Sequence, residues 1–269
     1  PWGENAMRAC KIFFIAFCLL LLVTGNALAH FGMVIPSQSN VMESREAKVA
    51  LSLKFWHPFE NSGMNLEKPA SFQVFFDGKA ESLLTGLQEK KERGFVTWQG
   101  EYTIKRPGLY AFIMEPRPYF EKEEDCFIVH ITKTYVSAFG GGEDWDKPLG
   151  LKAEIVPLTD PNALYAGNVF QGRVLQNGKP VPGATVEVEW YPGEGRKGEA
   201  AYENMLTHTV KADDSGIFTF AAPRAGWWGF AALLEDEAKI THEGSEKNVE
   251  VGAVVWVNFY PLLPAKKQD

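Results

Sequence analysis

The sequence predicts an all-β protein made of two β-sandwich modules in tandem. Apolar residues alternate with period two over short runs, and Gly, Pro, Asn or Asp closes most of these runs. No long stretch repeats apolar residues with helical spacing. A glycine-rich break at residues 140–142 separates two similar series of predicted strands.

The first segment, residues 1–29, has the pattern of a few upstream residues followed by a secretory signal peptide. Basic residues precede an apolar run at residues 12–23, and small residues lead up to Ala29. This order is typical of a signal that is removed, and the apolar run is too short to span a bilayer comfortably. We therefore expect a soluble, periplasmic protein that begins at His30 and has no stable membrane insertion.

The first module is predicted at residues 30–139. Turn signals such as Asp77-Gly78 separate its strands, and a short helix is predicted at residues 82–93. The predicted strands cover residues 47–56, 71–76, 94–98, 101–104, 108–115 and 126–132.

A linker with a connecting strand is predicted at residues 140–163, before a second module at residues 164–262 and a tail at residues 263–269. Asn177-Gly178 and the segment 213–216 are typical turns. Strands are expected on both sides of these turns, including residues 184–190, 217–220, 227–234 and 247–259.

Composition limits the classes of function. The formal net charge is −7, which disfavours nucleic acid as a partner and permits cations. Cys126 is the only cysteine beyond the predicted signal, so we expect no internal disulfide. The sequence lacks a nucleophile elbow, a phosphate loop, an HExxH motif and a paired-cysteine motif, which argues against a hydrolase or transferase.

Three histidines form the candidate site. His30 would offer both an α-amine and an imidazole if cleavage occurs directly before it. In the stretch LSLKFWHPFE, His57 lies at the end of a predicted strand, on the same face as Phe55. In the stretch EEDCFIVHIT, His130 lies on the same strand face as Cys126.

These nitrogen donors predict a transition-metal site. Imidazoles and an amine suit nickel, cobalt, copper or zinc, whereas calcium and magnesium prefer oxygen ligands. Acidic residues near the histidines in sequence are candidate oxygen ligands or partners that orient a ring: Glu60, Glu115, Glu124 and Asp125. A histidine on a strand is also a common structural residue, so a metal-free interpretation stays open.

Several stretches together carry a family resemblance, among them AHFGMVIPS, LSLKFWHPFE, GLKAEIVPLT and AGWWGFAAL. They resemble a bacterial family of domains of unknown function described as nickel-uptake proteins, which are similar to the extra periplasmic component of energy-coupling-factor transporters for nickel and cobalt. The resemblance covers nearly all of the expected mature chain. It implies capture of Ni²⁺ or Co²⁺ and delivery to a membrane permease, and it points to His30, His57 and His130 because they lie within the matching stretches.

A separate resemblance concerns fold alone. Residues 169–230 resemble the transthyretin-like or carboxypeptidase-regulatory-like sandwich, an immunoglobulin-like scaffold that implies no chemistry by itself.

We therefore predict a periplasmic nickel- or cobalt-binding protein that is not an enzyme. Two alternatives stay open. A terminal amine with two imidazoles also describes a copper histidine brace, and Cu²⁺ binds such ligands tightly in vitro whatever the biological metal. The other alternative is a metal-free structural or glycan-binding β-sandwich that uses exposed Trp and Tyr side chains.

Overall fold

The computed structural model describes residues 30–262. The predicted signal peptide at residues 1–29 and the predicted tail at residues 263–269 lie outside the described residues. Twenty-two strands and three short 3₁₀ helices form the described part, which confirms the all-β prediction. No helix in this part is long and apolar enough to cross a membrane.

The 3₁₀ helices lie at Ser44–Glu46, Leu84–Gly86 and Glu203–Met205. The strands, in chain order, are β1 (Phe31–Pro36), β2 (Asn40–Val41), β3 (Lys48–His57), β4 (Ser62–Met64), β5 (Ser71–Phe76), β6 (Lys79–Ser82), β7 (Gln88–Glu92), β8 (Phe95–Thr103), β9 (Gly108–Glu115), β10 (Tyr119–Glu121), β11 (Cys126–Ala138), β12 (Ala153–Pro157), β13 (Leu164–Tyr165), β14 (Val169–Gln176), β15 (Lys179–Pro180), β16 (Thr185–Tyr191), β17 (His208–Lys211), β18 (Ile217–Ala221), β19 (Gly226–Glu235), β20 (Ile240–His242), β21 (Ser245–Lys247) and β22 (Val249–Tyr260).

One long sheet runs through both halves of the chain. Its main strand order is β17-β16-β19-β22-β11-β9-β5-β6. At its centre β11 and β22 are parallel, and Phe127 lies opposite Val249 while Thr134 lies opposite Trp256. The last long strand of the first half therefore pairs with the last strand of the second half.

Two smaller sheets cover opposite faces of the long sheet. The sheet β1-β3-β8-β7 encloses one core, which includes Phe72 and Phe112. The sheet β12-β14-β15, with β18 added to β14, encloses another core around Phe170 and Phe230. Neighbouring side chains of the long sheet alternate between these cores, which gives sandwich packing in both halves.

Strand β1 contacts both the smaller sheet and the long sheet. Phe31 and Met33 belong to a third apolar cluster together with Trp256 of β22. The indole Nε1 of Trp256 donates a hydrogen bond to the carbonyl of Gly32 at 2.8 Å. The strand that follows His30 is therefore packed on two sides.

The sequence predictions differ from the structure at several places, and the short strands β4, β6 and β10 are among the elements that were not predicted. Of the short helix predicted within residues 82–93, only the 3₁₀ helix Leu84–Gly86 forms, and the rest of the segment includes the edge strand β7. The strands predicted at residues 94–98 and 101–104 are one strand, β8. Strand β1 was not predicted, because burial on both faces replaces the alternation that marks a half-exposed strand.

Candidate functional site

His30 and His57 lie side by side at one end of the smaller sheet. Strand β1 is antiparallel to β3, with Phe31 opposite Trp56 and Gly32 opposite Phe55. The same register carried one residue further places His30 opposite His57. Their ring centroids are 4.4 Å apart, so the structure brings two of the three predicted histidines together.

The ring of His30 is largely enclosed. It packs against Phe55 with 5.6 Å between ring centroids and against Tyr119 with 6.5 Å. Its Nε2 lies 3.9 Å from Oε2 of Glu121, and the side chain is only 17% exposed. The other ring nitrogen, Nδ1, is the one that can form a chelate with the α-amine of the same residue.

Burial and neighbouring imidazoles keep the His30 ring neutral. Burial, with smaller contributions from His57 and His130, lowers the pKa of His30 to about 3. This shift occurs although a carboxylate lies 3.9 Å from Nε2. A neutral imidazole is the form that binds a metal ion, so the site needs no deprotonation of this ring near neutral pH.

His130 lies near this pair but has protein partners at both ring nitrogens. The amide of Gly32 donates to Nδ1 at 3.4 Å, and Nε2 lies 3.2 Å from Oε1 of Glu250. The hydrogen-bond network assigns the proton to Nε2, which donates to the carboxylate. As a metal ligand, His130 would have to exchange one of these hydrogen bonds for the ion.

Three of the predicted oxygen ligands occupy different places. Asp125 forms an ion pair with Lys247 at 2.6 Å and is therefore turned to strand β21. Glu60 is half-buried in the turn after β3, and Glu115 is exposed at the end of β9.

The fourth predicted oxygen ligand, Glu124, belongs to a group of carboxylates near the histidines. Burial and the charges of Glu250 and Glu121 raise the pKa of Glu124. Burial and the charges of Glu250 and Glu124 likewise raise the pKa of Glu187 to about 7. A bound cation would relieve this mutual repulsion, as opposite charges stabilise ionised carboxylates.

Glu121 was missed by the sequence analysis. Strands β10 and β11 form an antiparallel pair in which Glu121 lies opposite Cys126 and Tyr119 lies opposite Ile128. Because alternate residues share a face, this pairing puts Glu121 on the side of His130. Pairing the short segment 119–121 with the next strand would have identified it.

Within residues 30–262, no group of three or more His, Cys, Asp or Glu side chains is arranged to hold a metal ion. The histidine pair supplies two imidazoles. A metal site here would therefore need a further donor, and the predicted one is the α-amine that cleavage before His30 would create.

Two cavities lie on opposite faces of β3. A cavity of about 210 Å³ is lined by Phe55, Tyr119 and His130, which also surround His30. A larger cleft of about 530 Å³ includes Lys54, whose ammonium lies 2.6 Å from the carboxylate of Glu92. No histidine lines the larger cleft, so cavity size does not mark the candidate site.

Together these features define a two-part β-sandwich protein with a histidine pair formed by the residue before β1 and the last residue of β3. The chain belongs to the DUF4198 family, a domain of unknown function, whose model matches residues 27–236. A search of curated proteins finds no match.

Solved structures give only distant similarity. The D0-D1 domain of Intimin is 13% identical with a TM-score of 0.24, covering 86% of this chain and 100% of that chain. Trypsin-activated alpha-2-macroglobulin from Escherichia coli is 12% identical with a TM-score of 0.24, covering 87% of this chain and 16% of that chain. The titin Ig tandem domains are 10% identical with a TM-score of 0.18, covering 82% of this chain and 97% of that chain.

Proposed function

We propose that the protein captures Ni²⁺ or Co²⁺ in the periplasm and delivers the ion to a membrane permease. The observation that carries this proposal is the contact of His30 with His57, whose ring centroids are 4.4 Å apart. Cleavage before His30 would add an α-amine at the same point. Three nitrogen donors would then face one ion, and such donors suit both metals.

The two ring nitrogens of His30 support this arrangement. The α-amine and Nδ1 of His30 belong to one residue and can chelate one ion. Nε2 then faces Glu121, whose Oε2 is 3.9 Å away. This distance is too long for a hydrogen bond, so Glu121 would have to approach Nε2 on metal binding to orient the ring and increase its basicity, as carboxylates behind metal-bound imidazoles commonly do.

A protein that delivers its ion to another protein is expected to bind that ion through a small number of its own ligands. Three nitrogens leave coordination positions of Ni²⁺ or Co²⁺ open to water or to a group of the permease. The carboxylates of Glu121, Glu124 and Glu250 lie close enough to one another to affect the pKa of Glu124. Such a concentration of negative charge raises the local concentration of cations.

Calorimetry with the mature protein tests capture. A chain that begins at His30 should bind one equivalent of Ni²⁺ at about pH 7.5. Placing Gly-Ser before His30, or introducing His57→Ala, should each weaken binding at least about tenfold, since loss of an orienting partner alone costs about 10–100-fold.

The matched control for calorimetry is His208→Ala. This substitution removes an imidazole that packs against Phe220 and Trp228 instead. Equal affinity of the extended and the mature chains would contradict the role of the terminus. A mature chain that binds neither Ni²⁺ nor Co²⁺ would favour the metal-free β-sandwich.

Uptake measurements test delivery. Cells that lack this protein should accumulate less radioactive nickel at limiting concentration than cells with the wild-type protein. The His57→Ala protein should fail to restore uptake, whereas His208→Ala should restore it. Full uptake without the protein would contradict delivery.

The copper histidine brace remains the second candidate because of one observation. Both ring nitrogens of His130 have protein partners. The nitrogen donors for an ion would then be the α-amine of His30 and the imidazoles of His30 and His57. Cu²⁺ favours such tetragonal nitrogen sites, but its binding alone does not decide, since copper binds most nitrogen sites tightly. Copper-dependent oxygen consumption with ascorbate would support the enzyme, whereas nickel or cobalt in protein isolated from cells would support capture.

A further inference from the structure

We infer that Asn61 is a positioning residue for His57 and that the second half of the chain keeps it in place. This inference rests on the proposed function, because it concerns the affinity of the same histidine pair. Strand β3 ends at His57, the turn 58–61 follows, and β4 returns with Ser62 opposite His57. The placement of His57 therefore depends on how this turn is held.

The side chain of Asn61 ties the turn to the loop after β16. Its Nδ2 donates to the carbonyl of Gly193 at 3.0 Å and to the carbonyl of Arg196 at 2.7 Å. Asn61 is fully buried and has a left-handed backbone, with φ of 51°. Asparagine adopts this backbone more readily than most residues with a side chain, and here the contacts of its buried side chain hold it in place.

Phe59 provides further contacts between the turn and the second half. Its amide donates to Oε2 of Glu189 at 3.2 Å, and its carbonyl accepts from the amide of Gly198 at 2.7 Å. Its ring centroid is 6.2 Å from that of Trp190. A Cβ atom on Gly198 would lie 2.3 Å from the Phe59 ring, so the two segments approach as closely as glycine allows.

The contacts of the turn with the second half should raise metal affinity by keeping His57 in one position. A four-residue turn on a protein surface is commonly mobile, but three residues of this turn are buried, and Phe59 and Asn61 are hydrogen-bonded to residues 189–198. Metal ligands must keep their distances within about 0.2 Å, and partners that orient a ligand are worth about 10–100-fold in affinity. The second half thus contributes to the site without supplying a ligand.

The test compares Asn61→Gly with Asn162→Gly in the mature protein. Asn162 is a matched control, because its Nδ2 also donates to two carbonyls, those of Ser39 at 2.7 Å and Tyr135 at 3.1 Å. In both asparagines the buried Oδ1 lacks a hydrogen-bond partner within the described part of the chain. Glycine at position 61 also tolerates the left-handed backbone.

Both variants should lower the melting temperature, but only Asn61→Gly should weaken Ni²⁺ binding, by about 10–100-fold. Equal Ni²⁺ affinity of Asn61→Gly and the wild type would overturn the inference, and so would equal weakening in both variants. If Asn61→Gly does not fold, Gly198→Ala serves instead, since its Cβ atom would lie 2.3 Å from the Phe59 ring and would displace the same turn without placing a charge in the protein interior.

A metal-free measurement separates this inference from the proposed function. Ring protons of His30 and His57 should show a nuclear Overhauser effect in the wild type and in Asn162→Gly, and should lose it in Asn61→Gly. If the wild type binds no Ni²⁺, the proposed function fails while this signal still decides the positioning role. Persistence of the signal in Asn61→Gly would overturn the inference even where Ni²⁺ binds.

Discussion

Lowering the pH from about 8 to about 5 should destabilise the wild-type protein more than a His30→Gln variant. Burial and the neighbouring His57 and His130 lower the pKa of His30 to about 3 in the folded state. In the unfolded chain the pKa is about 6.5. As the pH falls through 6.5, the imidazole of the unfolded state therefore binds a proton that the imidazole of the folded state does not bind. The free energy of unfolding decreases until the pH falls below about 3.

The expected magnitude follows from these pKa values. At pH 5 the unfolded imidazole is about 1.5 pH units below its pKa, while the folded imidazole is still neutral. Each unit corresponds to about 1.4 kcal/mol, so the loss attributable to His30 is about 2 kcal/mol. Solvent screening reduces this value little, because the side chain is only 17% exposed.

Urea denaturation at about pH 8, 6.5 and 5, in buffer with EDTA, measures this difference. Glu187 and Glu189 titrate with the opposite sign, since burial raises the pKa of each to about 7 and the folded state binds their protons more tightly. Their contribution is common to both proteins and cancels in the comparison. An equal loss of stability in the wild type and in His30→Gln would refute the reasoning.

Two further substitutions test buried contacts of the long sheet, one in β11 and one in β22. Lys133→Met should lower the free energy of unfolding, measured by urea denaturation, by about 3–5 kcal/mol, because it leaves the buried carboxylate of Glu154 without the ammonium that now lies 2.6 Å away. A stability equal to that of the wild type would contradict a buried ion pair. Gly252→Ala should lower the free energy of unfolding by about 1–3 kcal/mol, because a Cβ atom there would lie 2.3 Å from Cδ2 of His130. An unchanged melting temperature would show that the His130 ring lies elsewhere.

Period-two alternation predicted the strands whose two faces have different surroundings. Strands β5 and β9 were predicted with their observed ends, and β3 to within one residue. Strand β5 and the first part of β3 alternate between a core face and a more exposed face, whereas β9 is buried on both faces and was identified as a short apolar run between turn signals. Strand β7 was not predicted, because an exposed edge strand with polar side chains, Gln88–Glu92, has no such alternation of apolar and polar residues. Its identity as a strand comes from pairing with β8, which is a tertiary property.

The histidine pair was predicted as candidate residues but not as a contact. His30 and His57 face each other only because β1 and β3 pair in one register, and the segment between these strands is too long to fix that register as a tight hairpin would. The partners of His130 were unpredictable for the same reason, since Gly32 and Glu250 come from opposite ends of the chain.

The place of His30 depends on the end of the chain as much as on the first module. Trp256 of β22 donates to the carbonyl of Gly32, and Gly252 leaves the space that the His130 ring fills. His130 in turn accepts from the amide of Gly32, two residues after His30. Strand β1 is also an edge strand of its own sheet, so without β22 one of its sides would lose its packing. The candidate site therefore depends on the shared long sheet, and residues 30–139 alone would present the same histidines without the contacts from β22 that pack against β1.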